Sequence, residues 1–249
     1  FEANATILDG QNARRVLYQS SSFNTLTTWD GFTIQNGRAP NYGNGGGVYM
    51  NNRGELSHCV IRNNTAYSGG GVYVDYYGII NNCMVTNNTA SYTGGGVYTY
   101  YGTVSNCRVS NNTANYGGGV YAGYNSTLSN CLVSNNTATY TSGGVYSYYS
   151  TITNTTIVRN AANNGAGIYG EYGGNLTNSI VWGNGTNEMN NITGTLSCSY
   201  SAIELGYEGE GNVSLNDCTA STLFVNPALS VGVSDNTENV DWHLQEGSV

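Results

Sequence analysis

Apolar side chains recur through the middle of this chain in short alternating groups, and the groups repeat with a fixed period. Leu56, Ile80, Val104, Leu128, Ile152 and Leu176 stand 24 residues apart, and so do Ile61, Val85, Val109, Val133, Ile157 and Val181. A third column runs through Cys59, Cys83, Cys107 and Cys131, and Thr155 and Ser179 continue it. A strict period of this length marks a stacked solenoid. Each period holds three alternating apolar groups: GGVYV, the pair around Ile80, and CMVTNN in the copy that starts at Gly69. That pattern predicts three short strands per turn. The glycine and β-branched content disfavours helix.

A fourth column is less regular. Val48, Val72, Val97, Val120, Val145 and Ile168 step by 24, 25, 23, 25 and 23 residues. Where the segment before GGG gains a residue, the next turn loses one. A slip of one residue inside a strand would turn every inward side chain outward, so length changes are expected in corners.

Two asparagine columns fit corners. Asn82, Asn106, Asn130, Asn154 and Asn178 precede or continue the cysteine column. Asn64, Asn88, Asn112, Asn136, Asn160 and Asn184 follow the last strand of each turn. Asparagine tolerates left-handed backbone, and stacked amides can bond along the axis at strand spacing. His58 occupies the first place of the inner column and reads as the end of that ladder.

The regular repeats span residues 44–187. Residues 1–43 read as irregular leading turns and 188–249 as irregular closing turns, so all 249 residues form one expected domain. About nine turns at a strand spacing of ~4.8 Å predict a rod roughly 40–45 Å long.

Composition narrows the chemistry. The chain has seven Arg, no Lys and a net charge of -8. Nucleic-acid binding needs clustered positive charge and is not expected. No apolar run approaches the roughly 20 residues that span a bilayer. No basic leader segment opens the sequence, so it reads as a processed chain or a fragment.

Glycoside hydrolysis needs paired carboxylates, and lyase chemistry needs a base and a cation. Between Leu56 and Gly170 the only acid is Asp75. The acids Glu204, Glu208, Glu210 and Asp217 gather near the C-terminal end, without the spacing of a calcium loop. No catalytic residues, metal site or cofactor are assigned on this reading.

Tyrosine is the conspicuous outer residue, with 22 copies. Tyr73, Tyr98, Tyr121, Tyr146 and Tyr169 follow the inward valine column and should face out. A second set, including Tyr100, Tyr124 and Tyr148, lies at corners, and a third precedes GGG at Tyr67, Tyr92, Tyr116 and Tyr140. Exposed aromatic columns suit a glycan or a protein partner. Mutual stacking that shields the sheet explains the first column equally well. Of the eleven N-x-S/T sequons, those at Asn63, Asn87, Asn111 and Asn135 stand 24 apart and are candidate glycosylation sites.

The repeats GGGVY and NCxVxNNTA, the opening ILDGQN…GFTIQNG, the segment NSIVWGN and the closing FVNPA…DWHLQEGS carry a resemblance. The chain resembles the secreted bacterial right-handed parallel β-helix proteins of the pectin-lyase-like superfamily. It is also similar to the repeats of polymorphic outer-membrane proteins and related adhesins. The resemblance implies an all-β, right-handed parallel β-helix in a secreted or cell-surface protein, with the closing motif (around Trp242 and His243) as a structural cap.

In that setting Cys198 and Cys218 are the candidate disulfide pair, and the cysteine column reads as buried thiols. The leading expectation is a non-catalytic structural or adhesive protein. Its expected partners are surface glycans, or further copies of itself stacked end to end in an extracellular fibre. A polysaccharide lyase or hydrolase, and a glycan-binding module built on the tyrosine ladders, are the alternatives.

Overall fold

The structure is a computed structural model and describes residues 6–20, 25–185, 192–204, 206–215, 224–226 and 241–244. It is a parallel β-solenoid of about 8 turns with ~24 residues per turn and no helix among the described residues, the fold expected from the period. Among the described residues no helix is long and apolar enough to cross a membrane. One sheet is ten strands deep along the axis and another has 14 strands. The columns read from the sequence are the strand registers. Leu56 pairs with Ile80, Ile80 with Val104 and Val104 with Leu128. Ile61, Val85, Val109, Val133, Ile157 and Val181 also pair turn to turn, and all are fully buried.

To the three strand segments expected, the structure adds a fourth. The turn from Val72 contains Val72–Val74, Ile79–Asn81, Met84–Thr86 and Thr89–Thr93. The first two belong to one sheet, the third to the ten-stranded sheet, and the fourth to a four-stranded sheet. The segment TASYT, read from sequence as a corner, is therefore a third wall. It also takes up the changes in length, because its pairings shift register between Ala90 and Thr93 and again between Ala114 and Tyr116. The Val48 column stays in register throughout.

Corners are set by residues that accept left-handed backbone. Asn82, Asn106, Asn130, Asn154 and Asn178 have φ of 49–54°, and His58 takes the same place at 50°. Asn63, Asn87, Asn111 and Asn135 have φ of 55–58°. Asparagine enters this region at lower cost than other residues with a β-carbon. The second residue of each NN pair then turns inward. The Asn88 side chain donates to the Ile61 carbonyl at 3.0 Å and to Oδ1 of Asn112 at 3.0 Å, and its backbone N–H donates to that same Oδ1 at 2.9 Å. The motif repeats from Asn64 to Asn184 and leaves these buried amides satisfied.

The cysteine column works similarly. The backbone N–H groups of Cys59 and Cys83 each donate to the sulfur one turn on at 3.4 Å, and the Thr155 and Ser179 hydroxyls accept the same bond farther along. Cys59, Cys83, Cys107 and Cys131 are buried and unbridged. Their thiols fill the corner as small polar acceptors.

Inside the first sheet, the larger side chains of one column face glycine in the next. Met50, Val74, Thr99, Ala122, Ser147 and Gly170 pair in one column of shrinking size. Gly54, Gly78, Gly102, Ser126 and Ser150 stand opposite. A Cβ on Gly54 would lie 2.8 Å from Sδ of Met50, and one on Gly78 would lie 2.7 Å from Cγ1 of Val74. Where the first column has shrunk to Ser147, the facing residue is Ser150, and their hydroxyls bond at 2.6 Å.

Near the C-terminal end, Phe224–Asn226 pairs antiparallel with Asp241–Leu244. The closing motif thus forms a two-stranded ribbon distinct from the parallel sheets.

Candidate functional site

The tyrosines that follow the inward valines form one continuous outer column. Each is paired in register with its neighbours, from Tyr49 through Tyr73, Tyr98, Tyr121 and Tyr146 to Tyr169. Ring centroids of Tyr73 and Tyr98 are 4.6 Å apart with planes at 3°, Tyr98 and Tyr121 5.0 Å at 8°, and Tyr121 and Tyr146 4.7 Å at 14°. Strand spacing imposes this separation, and parallel strands carry equivalent rings at the same tilt. The stacking reading therefore holds for this column.

Stacking does not exhaust its role, because the column is also one wall of a groove. Tyr67, Tyr92 and Tyr116, from the fourth strand of each turn, form the facing wall. The groove has a volume of about 470 Å³ and runs along the rod, with Asn44 and Glu171 among its lining residues. Ser68 and Thr93 line it as well, joined by a 2.8 Å hydrogen bond.

Its concavity comes from the glycine triads between the walls. Gly69, Gly94 and Gly117 have φ of 61–63°, which turns the chain sharply. The third glycine of each triad is required by close approach: a Cβ on Gly71 would lie 2.6 Å from the Gly96 carbonyl oxygen and 3.0 Å from the Asn88 amide.

The groove is aromatic, polar and nearly uncharged. Desolvation raises the pKa of the Tyr73, Tyr98 and Tyr121 phenols, so they remain neutral hydrogen-bonding groups at ordinary pH. Desolvation also raises that of Tyr146, whose hydroxyl donates to the Glu171 carboxylate.

Tyr100, Tyr124 and Tyr148 lie outside the groove, on a corner of the same sheet. Their rings follow one another at 5.1 and 4.7 Å, and the row extends to Tyr172 at 5.0 Å. The Tyr124 and Tyr148 hydroxyls are 3.2 Å apart, and this bond raises the Tyr148 phenol to about 12. Tyr77, Tyr101, Tyr149 and Tyr172 hold φ of 50–58°, a region costly for a bulky side chain. Four copies of a strained aromatic corner, where glycine or asparagine would serve more cheaply, point to a use for the exposed rings.

The seven tyrosines singled out from the sequence thus divide into four groove residues and three corner residues. Sequence reasoning missed Glu171, which lies one residue beyond the stretch searched for acids, and did not join Tyr67, Tyr92 and Tyr116 to the site. The usable signal was their spacing of five or six residues from the first column across a glycine corner.

Other candidates fall elsewhere. Asn63 and Asn87 are exposed and Asn111 is partly buried, but Asn135 is fully buried. The Asn135 amide offers no accessible nitrogen in the folded chain, which corrects its inclusion among the glycosylation candidates. Cys198 sits in the Leu176 column, buried and unbridged, with its thiol pushed up to about 11 by burial. Its candidate partner Cys218 lies outside the described residues, as does Asp217. Glu204 accepts a 2.7 Å bond from the Gly183 N–H, and Glu210 accepts one of 2.6 Å from Tyr200. Among the described residues no group of three or more His, Cys, Asp or Glu is placed to hold a metal.

The family description "Right handed beta helix region" matches residues 46–201, more than half of the chain. The chain belongs to this right-handed β-helix family. The matched region of this β-helix contains the tyrosine column from Tyr49 to Tyr169 and the glycine triads that begin at Gly69, Gly94 and Gly117. No curated protein and no solved structure matches the chain.

Proposed function

We propose that this β-helix is a non-catalytic extracellular or cell-surface protein of adhesive and structural role, which holds an extended neutral glycan along its tyrosine groove. The observation that carries this reading is the pair of facing tyrosine walls, repeated at strand spacing along the axis. Flat rings with neutral hydroxyls present an apolar face and a hydrogen-bonding tip together, which is what a sugar ring offers in return. The repeat of the walls favours a ligand that itself repeats.

The test is binding of the intact chain to a panel of immobilised neutral and acidic polysaccharides. Tyr98→Ala combined with Tyr121→Ala should weaken capture of a neutral glycan at least tenfold while leaving the circular dichroism spectrum unchanged. Full binding by that variant, or no capture across the panel, overturns the reading.

The enzymatic alternative, a lyase or hydrolase, receives less support from the same groove. Glu171 is the one carboxylate among its lining residues, where hydrolysis calls for two. Release of reducing ends or unsaturated products from the panel would favour the enzyme.

End-to-end assembly into a fibre is supported by a separate feature. The strands Ile7–Asp9, Leu17–Gln19 and Thr27–Asp30 end their sheets with no further neighbour among the described residues, and Ile7 and Tyr18 beside them are exposed. Open strand edges are templates for pairing. Negative-stain imaging of natively isolated material should show rods joined along their axes, and dispersed monomers would count against assembly.

A further inference from the structure

Two tyrosine pairs one turn apart have nearly the same spacing and opposite geometries. Tyr73 and Tyr98 stack with centroids 4.6 Å apart and planes at 3°. Tyr124 and Tyr148 have centroids 4.7 Å apart, planes inclined at 47° and hydroxyls in contact at 3.2 Å. In the first pair the rings meet face to face, so their edge carbons lie in separate parallel planes. In the second the oxygen-bearing ends of the rings converge, and with them the carbons ortho to each oxygen. A bond between two ortho carbons joins ring edges, inclines the rings and leaves the two hydroxyls side by side. The Tyr124–Tyr148 pair is already near that arrangement. Tyr124 is also solvent-exposed, at 37% of its surface.

We propose that Tyr124 and Tyr148 are a modification site: they form an intramolecular dityrosine cross-link when the protein meets hydrogen peroxide and a haem peroxidase. The peroxidase removes one electron and one proton from each phenol. The two tyrosyl radicals couple through their ortho carbons, one C–C bond forms, and the hydrogen on each coupling carbon returns to oxygen to restore both phenols. The protein loses two hydrogens in all, and one peroxide is reduced to two waters.

The new bond runs along the rod axis and ties two adjacent turns together. It closes a 24-residue loop (from Tyr124 to Tyr148), which restricts the unfolded chain more than the folded one. Tyr100 and Tyr172 continue the row at 5.1 and 5.0 Å, so an oxidation begun at either ring lies next to the pair.

The experiment treats the full-length chain with a haem peroxidase and limiting hydrogen peroxide. It then follows dityrosine fluorescence, intact mass and the peptides released by cleavage between the turns, at Leu128 or Leu132. The expected result is a chain of monomer size, lighter by two hydrogens, in which the Tyr124 and Tyr148 peptides are joined. That product should exceed any Tyr73–Tyr98 product by at least tenfold. Tyr124→Phe and Tyr148→Phe should each abolish it, and Tyr98→Phe should not. Phenylalanine keeps the ring and removes only the hydroxyl, so the fold is retained, which circular dichroism checks. The proposal is overturned by cross-links confined to dimers, by equal coupling of the stacked pair, by persistence of the product in Tyr124→Phe, or by no dityrosine at all.

Discussion

The asparagine ladder inside the rod and the tyrosine ladder outside it follow nearly the same period, yet they differ in what they leave unsatisfied. In the inner ladder each carboxamide from Asn88 to Asn184 accepts two hydrogen bonds at its oxygen and donates through its nitrogen within the protein. In the outer ladder the rings stack through their faces, and the hydroxyls at the groove have partners only singly, Tyr146 with Glu171, Tyr73 with Asn44 and Tyr98 with Tyr73. A ladder that consumes all its bonding capacity can only support the fold. A hydroxyl has one donor and two acceptor sites, so a row of singly partnered hydroxyls beside an open groove keeps bonding capacity for something else. The comparison separates scaffold from surface.

The largest expected effect breaks the inner ladder. Asn112→Ala removes the acceptor of the Asn88 amide and backbone N–H, and the donor to the Val85 carbonyl and to Asn136. Several buried polar groups lose their partners, each at about 1–3 kcal/mol. Urea unfolding should show a loss of several kcal/mol or failure to fold. A loss comparable to that of a surface mutation would show that the ladder is not what holds the turns.

Alkaline pH tests the outer ladder. The groove phenols have pKa values raised by desolvation above the ordinary value near 10. On raising the pH, the unfolded chain ionises first and binds fewer protons than the folded one, so stability falls. The buried thiols of Cys59, Cys83, Cys107 and Cys198 are raised as well, so the thermal midpoint should be flat below about pH 8 and decline above it, with the tyrosines adding to the loss above about pH 10. Ultraviolet titration should show part of the tyrosine ionising only as the fold is lost, and complete ionisation of a folded chain near pH 10 would contradict the burial.

The smallest effect sharpens the contrast. Tyr98→Ala should cost only about 1–3 kcal/mol, from two lost ring contacts, and Tyr98→Phe less still. If Tyr98→Ala proves as damaging as Asn112→Ala in the same unfolding assay, the outer ladder is structural as well.

Much of the fold was legible because each inward position is compelled. Leu56, Ile80 and Val104 have one face to bury and one register in which to do it. The fourth strand was not legible, because its inward residues are only Ala66, Ala90, Ala114 and Ala138, too small to stand out as an apolar group, and its register shifts at each turn. The groove was half legible. Each tyrosine wall is visible as a column, but their facing depends on the left-handed glycines at Gly69, Gly94 and Gly117, which no hydrophobic pattern encodes. Sequence could not separate Asn63 from Asn135 either. The two share the motif NNTA and the same φ within a few degrees, and they differ in what packs over them.

The opposing sizes of Met50 with Gly54, Val74 with Gly78 and Ser147 with Ser150 have one further consequence. The same positions also meet the neighbouring turns, since a Cβ on Gly102 would lie 3.1 Å from Cγ1 of Val74 and one on Gly170 2.6 Å from Cγ of Leu196, so the fit is shared between adjacent turns while the backbone registers repeat. Recombination that removes or copies a whole 24-residue block, cut at equivalent glycines, keeps the backbone registers and asparagine ladder and makes new core neighbours only at the junction. The length of the rod can therefore change in one genetic step, and its groove lengthens or shortens by one tyrosine rung each time.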